Sequence, residues 1–207
     1  MVQVTDPEPL SARRLKTRQR LMAAASTVFA EKGVGGASVE EISEAAGFTR
    51  GAFYSNFESK DALCVALLRS LSDTSLTAVR DAVAGFGNQP AEVGALVDTA
   101  VDSFLATQPP DRDSMLLVRE MELYALRHPA FADAYLALRE ETHGLFVDVL
   151  EEALHRHSLS LTLPATQVIE ILHALHDSVR STALLRPEAP DPVAEALKTV
   201  LTALIRW

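Results

Sequence analysis

The sequence predicts an all-α fold in which a small N-terminal unit of three helices precedes a larger helical bundle. Of the 207 residues, 9 are glycine and 10 are proline. A β-sandwich needs a turn about every ten residues, and so few glycines and prolines do not provide enough turns for this fold. Apolar residues recur three, four and seven positions apart over most of the chain, as they do on one face of a helix. With glycines and prolines between these periodic segments, the pattern predicts about nine helices.

The first predicted helix extends from about Ser11 to Lys32, where apolar residues keep helical spacing. Gly33 follows at the position where a left-handed residue commonly ends a helix. The N-terminal half of this helix, residues 11–20, carries five cationic side chains and no acidic one. Such a cluster favours an arm that faces phosphate groups. We assign four side chains to this arm: Arg13, Arg14, Lys16 and Arg18.

The second and third helices are short and are marked by their capping residues. Ser38 and Glu41 form a capping box, in which each side chain binds the other residue's backbone N–H group. The second helix therefore begins at Ser38, and Gly47 ends it after about two turns. Thr49 is placed to cap the third helix, which reaches Tyr54. Two short helices joined by a glycine turn are typical of a helix-turn-helix.

The fourth helix is capped by Ser59 and extends to about Val83. Beyond it, the spacing of apolar residues predicts five longer helices that are separated by glycine or proline. Their predicted ranges are Ala91–Thr107, Arg112–Arg127, Ala130–His157, Ala165–Leu185 and Val193–Arg206.

Charge and composition limit the class of protein. The net charge is −9, and residues 69–207 carry all of it, because residues 1–68 hold eight cations and eight acids. The single cysteine, Cys64, cannot form an intramolecular disulfide, which favours a reducing cytoplasm. The polar N-terminus lacks the features of a signal peptide. We expect no apolar segment to be as long as the roughly 18 residues of a membrane span. We therefore expect a soluble cytoplasmic protein without membrane contact.

Three segments of the N-terminal third resemble the DNA-binding domain of the tetracycline-repressor (TetR) family. They are residues 29–33 (FAEKG), 37–48 (ASVEEISEAAGF) and 51–60 (GAFYSNFESK). The resemblance covers about residues 15–64, and the later helices match the family only in number and order. It implies a homodimeric bacterial transcriptional regulator that binds a palindromic operator, usually as a repressor, and that a small molecule releases. We expect a disordered arm over residues 1–10, a DNA-binding domain over 11–60 and a ligand-binding and dimerisation domain over 61–207.

The same resemblance assigns roles to single residues in the third helix and around it. Thr49, Arg50 and Gly51 would lie nearest the base edges, and Arg50 is the best candidate for reading a guanine. Three residues match positions at which the family contacts phosphate: Ser38, Tyr54 and Lys60. Asn56 stands where many members have histidine. Phe53 is also a candidate DNA contact, although an aromatic residue here is more often part of the core.

The resemblance also implies a dimer interface and an effector pocket. In the family, the last two helices, here the eighth and ninth, pair with their copies in the second protomer. A pocket for a small apolar effector would lie among the fourth to eighth helices. Candidate lining residues are Phe86, Phe104, Met115, Met121, Tyr124, Phe131, Tyr135, His143 and Phe146. Ordinary core packing is the commoner role of each of these side chains.

Two other functions fit parts of the sequence. A DNA-binding regulator without any effector remains open, because the number of helices does not establish a pocket. The pairs Glu152/His155 and Glu170/His173 have the Glu-x-x-His spacing of di-metal bundle enzymes. A helical wheel directs Glu170 and His173 away from the apolar stripe around Val168, which disfavours such a site. No Gly-x-Ser-x-Gly motif is present, so we expect no enzymatic activity, no metal and no cofactor.

Overall fold

A computed structural model describes residues 12–87, 92–107, 112–186 and 192–206. Within these ranges the chain forms nine α-helices and one small two-stranded sheet. The helices are α1 (Ala12–Gly36), α2 (Val39–Ala45), α3 (Arg50–Tyr54), α4 (Lys60–Ala84), α5 (Val93–Thr107), α6 (Arg112–Arg127), α7 (Pro129–Arg156), α8 (Ala165–Leu184) and α9 (Val193–Leu204). The arm predicted to be disordered, residues 1–10, lies outside the described residues.

The predicted caps of the N-terminal helices are confirmed. Gly33 and Gly47 have φ angles of 73° and 71°, the left-handed region that an L side chain rarely adopts. Gly33 breaks the helical geometry inside the range of α1, so the regular helix ends there as expected. Ser38 closes its capping box with Glu41, and the Thr49 side chain accepts from the backbone N–H of Ala52. Local hydrogen bonds therefore set the start of both short helices.

The core of the N-terminal helices does not end at the predicted domain boundary near residue 60. Its largest fully buried side chains include Phe29, Phe53 and Leu63. Met121 of α6 and Phe131 of α7 belong to the same apolar cluster. We call the part formed by α1, α2, α3 and the N-terminal end of α4 the head. Helix α6 packs along α1, so the head rests on the bundle through a continuous apolar contact.

The bundle, α4 to α9, contains two further apolar clusters. One joins α4, α7 and the start of α8, and the other joins α5, α8 and α9. In α9 the predicted apolar stripe, which includes Val193, Leu197 and Leu201, is buried within its own chain. That stripe therefore serves the fold of one protomer, and it does not by itself indicate a dimer interface.

One feature departs from the all-α prediction. Residues Ser160–Leu161 (β1) and Ile205–Arg206 (β2) form an antiparallel pair, with Ser160 opposite Arg206 and Leu161 opposite Ile205. Helix α9 therefore ends at Leu204, two residues earlier than predicted. The sheet connects the segment after α7 with the end of α9, a contact between residues far apart in sequence.

Helix α4 is long and apolar enough to cross a membrane by length and composition alone. The expectation that no stretch approaches a membrane span is therefore wrong for Lys60–Ala84. Its buried residues include Leu63 and Leu67 in the head cluster and Leu76 in the bundle. Buried residues at both ends are typical of a core helix of a folded domain, so the composition is weak evidence for a span.

Candidate nucleic-acid interface and effector pocket

Three arginines of α1 bind the backbone of the helix-turn-helix. The guanidinium groups of Arg14, Arg18 and Arg20 donate to backbone carbonyls of Ser55, Asn56 and Ala46, respectively. These carbonyls lie at the C-terminal ends of α3 and α2, where the helix dipole is negative and backbone acceptors lack helical partners. Arg18 also lies over the Phe57 ring, 4.1 Å from its centroid. The basic half of α1 therefore stabilises the motif as well as charging its surface.

This finding changes the prediction for the phosphate-facing arm. Arg14 and Arg18 were expected to face phosphate, but both donate hydrogen bonds to the protein. Desolvation lowers the pKa of Arg18, and the neighbouring charge of Arg14 acts in the same direction. The side chains of Arg13 and Lys16 are exposed, and their contact with phosphate remains a prediction.

Arg50 is the first residue of α3 and projects from the outer side of the motif. Its side chain is 64% exposed and forms an ion pair with Glu40 of α2, with a distance of 2.6 Å between Nη1 and Oε1. The guanidinium also lies 5.4 Å from the centroid of the Tyr54 ring. These contacts orient the guanidinium only weakly, since the pair is exposed, and Arg50 must exchange Glu40 for another partner to bind a base.

The remaining outer surface of α3 is open at Gly51 and Tyr54. A Cβ atom at Gly51 would meet only the Thr49 hydroxyl, at an ordinary contact distance of 3.7 Å. Nothing within the described chain therefore requires glycine here, whereas a close approach by a ligand backbone would. Tyr54 is 47% exposed, so about half of its surface is accessible to a partner.

Two predicted DNA contacts lie on the inner side of the motif. Phe53 is fully buried, with Tyr54 and Phe57 against its ring, so the prediction that its side chain contacts DNA is wrong. The Asn56 amide donates to the carbonyl of Ala52 at 2.8 Å, and its Oδ1 atom is buried. Asn56 therefore binds the end of α3 and does not extend outward as a contact would require.

Ser38 and Lys60 support the loop between α1 and α2. The Lys60 ammonium group donates to the carbonyls of Val34 and Ala37 at 2.6 and 2.8 Å. Two of its three protons are directed at the protein, so Lys60 fixes the loop, and its contact with phosphate through the third proton stays a prediction. Hydrogen bonds from Lys32 and from the backbone and side chain of Ser38 lower the pKa of Glu41 to about 2. The loop is thus fixed at both ends.

The helix-turn-helix segment matches a known family model, that of the bacterial regulatory proteins of the tetR family, over residues 21–67. This range covers most of α1, both short helices and the start of α4. These residues carry the DNA-binding domain of the TetR family. The chain is accordingly a DNA-binding transcriptional regulator, and regulators of this family are generally not enzymes.

Similar proteins extend the match beyond the TetR head. The transcriptional repressor KstR2 of Rhodococcus jostii is 33% identical over 90 residues, which is 44% of each chain. The transcriptional regulator TtgR of Pseudomonas putida is 27% identical over 201 residues, covering 91% of this chain and 90% of the relative. FadR of Bacillus subtilis, crystallised with stearoyl-CoA, shares the fold with a TM-score of 0.68 at 14% identity, over 89% and 95% of the chains.

Among the described helices of the bundle, where TetR regulators are expected to bind effectors, we consider two cavities. The first has a volume of about 140 Å³ and lies among α4, α5, α7, α8 and α9. The second has a volume of about 220 Å³ and lies among α4, α5, α6, α7 and α8. Of the predicted lining residues, Phe104 and Phe146 border both cavities, and Met115 borders the second.

The other predicted lining residues lie elsewhere. Met121 and Phe131 are buried in the head cluster, and Tyr124 and Tyr135 pack against it. Tyr124 also stacks on His128 and donates a hydrogen bond to Asp61. Desolvation and the nearby Asp61 carboxylate raise the pKa of Tyr124 to about 12. His143 stacks on His173, and Phe86 lies in the turn after α4, outside both linings. Aromatic type alone could not separate these environments.

Polar residues of α8 were missed by the sequence prediction. His173, His176, Asp177 and Arg180 line the second cavity. The helical wheel placed His173 away from the core, but α8 is covered on two sides, and the ring packs against Phe104 and Phe146. Within the described residues no group of three or more histidine, cysteine or acidic side chains is arranged to hold a metal. Glu152, one member of the Glu-x-x-His pairs, is bound to Arg156.

Proposed function

We propose that this chain is a cytoplasmic transcriptional repressor that binds a palindromic operator as a homodimer and releases it when a small, largely apolar effector occupies the bundle. The observation that carries the DNA-binding role is the outer surface of α3. Arg50, Gly51 and Tyr54 are exposed there on a helix whose inner side is fixed by Phe53. KstR2, which matches this part of the chain, is itself a transcriptional repressor.

The chemistry of that surface suits the major groove, which is about 12 Å wide and admits a helix. A guanidinium such as that of Arg50 can donate to O6 and N7 of one guanine at the same time. The missing side chain at Gly51 leaves room for the DNA backbone or a base edge. Exposed Arg13 and Lys16 would contact phosphate and so set the register, although the whole chain carries a net charge of −9.

Dimerisation follows from the size of the recognition surface. A helix of five residues reads only a few base pairs, so useful specificity requires two half-sites about 34–36 Å apart. Exposed apolar side chains on and beside α8, among them Ile171 and Leu185, leave that helix available for a partner copy. The predicted pairing of the eighth and ninth helices therefore relies on the outer side of α8 more than on the buried stripe of α9.

Helix α6 supports the proposed switch. Met115 and Val118 line the second cavity, whereas Leu117 and Met121 lie in the core of the head. A ligand that changes the position of α6 would change the position of α1 and, in a dimer, the separation of the two α3 helices. A ligand acts in this way only if it binds one of the two arrangements better than the other.

The test is selection of bound DNA from random duplexes, followed by titration of the selected sequence. We expect an inverted repeat whose half-sites are about one helical turn apart, bound by two chains. Arg50→Ala should weaken binding, whereas Arg112→Ala, which removes an exposed arginine from α6, should not. Equal affinity for the repeat and for scrambled duplex, or a strictly monomeric chain at micromolar concentration, would refute the proposal.

A further inference from the structure

The two cavities of the bundle are adjacent chambers with different chemistry. Phe104, Phe146 and His173 border both, so these three rings form the wall between them. The Phe104 and Phe146 rings meet edge to face with centroids 6.2 Å apart, and His173 packs against both. A ligand that displaced one ring would reach both chambers at once.

The first chamber is apolar. Apart from His173, its lining consists of aliphatic side chains and the two phenylalanines. Val97, Leu197 and Leu201, for example, come from the cluster that joins α5 and α9. Burial of hydrocarbon is the one interaction such a surface offers, so an uncharged apolar body fits this chamber.

The second chamber carries polar groups on one side. Ser75 and Thr107 already bind each other, with 2.9 Å between their hydroxyl oxygens. Asp177 lies 3.4 Å from the Arg119 guanidinium of α6. Arg180 also has an interaction with its surroundings. The polar groups of this chamber are therefore largely satisfied by the protein, with two exceptions among the described residues of α8, Nδ1 of His173 and Nε2 of His176.

Of these two histidines, His176 is 8% exposed and has a carboxylate beside its other ring nitrogen. Its Nδ1 atom lies 3.2 Å from the Asp177 carboxylate, which can only accept, so in the neutral form of the ring the proton belongs on Nδ1. The opposite nitrogen, Nε2, is then an acceptor. It is buried and has no hydrogen-bond partner within the described chain. A buried acceptor without a partner is costly, and a donor on a bound molecule would satisfy it.

We propose that the effector is an uncharged amphipathic molecule whose apolar body fills the first chamber and whose hydroxyl group, in the second chamber, donates to Nε2 of His176. This inference rests on the proposed function, since it names the class of effector that the regulator recognises. The carboxylate of Asp177 beside His176 repels an anionic headgroup at the same place, and Arg180, the cation of this lining, already has an interaction with its surroundings. The hydroxyl selects the orientation, and the apolar body supplies most of the affinity.

The position of the headgroup also connects it to the head of the protein. His176 binds Asp177, and Asp177 is paired with Arg119 of α6. Arg119 additionally binds Glu122 on the same helix at 2.8 Å. A hydroxyl bound to His176 therefore lies at the polar contact between α8 and the helix that packs on α1.

The test compares three probes of equal chain length by calorimetric titration of the full chain without DNA. They are octanol, methyl octyl ether, which lacks the donor, and octanoate, which is an anion. We expect octanol to bind about tenfold more tightly than the ether, the ratio expected for one satisfied buried acceptor. His176→Leu should remove this preference and leave ether binding unchanged. His155→Leu, an exposed histidine of α7, is the matched control and should preserve the preference.

Ala153→Phe, which fills part of the first chamber, should weaken octanol and the ether equally. This variant and the wild-type ratio keep the test decisive if His176→Leu does not fold. Equal affinities for octanol and ether, tighter binding of octanoate, or no binding of any probe would overturn the inference. Because no DNA is present, failure of operator binding would refute the proposed function without altering these ratios.

Discussion

The head and the bundle of this protein use burial for different purposes. In the head, Phe29, Ile42 and Phe53 are completely buried and fix two short helices that have little stability of their own. In the bundle, cavities of about 140 and 220 Å³ separate long helices. The head is thus densely packed, as a surface that must keep its shape to bind DNA requires, whereas the bundle contains space in which an effector is expected to bind.

The largest effect is expected when one aromatic ring is removed from each region. Phe53→Ala should lower the free energy of unfolding by about 3–5 kcal/mol, since a large side chain leaves a closed core. Phe104→Ala should cost less, because this ring already borders both cavities and has fewer packed neighbours to lose. Urea unfolding of both variants measures the difference. Equal costs would show that the two regions are packed alike.

The second prediction concerns specificity in the head. Arg50→Ala should weaken operator binding by roughly 1–3 kcal/mol and relax the preference at one base position. Fluorescence anisotropy with the operator and with singly substituted operators measures both effects. Arg112→Ala removes the same charge from the bundle and serves as control. If affinity for the native operator is unchanged in Arg50→Ala, the assigned base contact is wrong.

The third prediction concerns pH, to which the bundle should respond first. Desolvation and the neighbouring His143 lower the pKa of His173 from 6.5 to about 4. Between pH 6.5 and about pH 4 this histidine is therefore protonated in the unfolded chain but not in the folded chain. The free energy of unfolding consequently falls as the pH drops below 6.5. Between pH 7 and pH 5 the loss should be about 2 kcal/mol. His173→Leu should flatten the curve of unfolding free energy over this range.

Glu41 in the head provides the contrast with His173. Its pKa is lowered from 4.5 to about 2, so its contribution to stability is present above pH 4.5 and is lost as the pH falls toward 2. Between pH 7 and pH 5 a Glu41→Gln variant should therefore follow the same slope as the wild-type chain. A wild-type slope in His173→Leu as well would exclude His173 as the source of the acid sensitivity.

The smallest expected effect concerns Glu40, the ion-pair partner of Arg50. Glu40→Gln releases the guanidinium and should raise affinity for DNA by less than about 1 kcal/mol, as expected for an exposed pair. Glu44→Gln removes an exposed acid from the same helix and controls for net charge. Anisotropy titrations at two salt concentrations separate the variants. Equal gains in both would mean that the ion pair itself does not restrain Arg50.

Local features of the fold could be predicted from the sequence, and distant contacts could not. The caps at Ser38 and Thr49 and the left-handed glycines 33 and 47 depend on neighbours within four residues, so their positions follow from the residue types. Arg18 contacts Asn56, 38 positions away, and charge alone suggested phosphate instead. Likewise, a helical wheel describes one helix without its neighbours, and it therefore misplaced His173.

Helix α6 belongs to both regions, with Leu117 in the core of the head and Val118 in the lining of the second cavity. Thermodynamic linkage makes such a shared element act in both directions. The factor by which a bound effector lowers the affinity for the operator is also the factor by which bound operator lowers the affinity for the effector. Promoters with stronger operators should therefore need more of the effector before transcription begins. The operator sequence of each controlled gene would then help to set the effector concentration at which that gene responds.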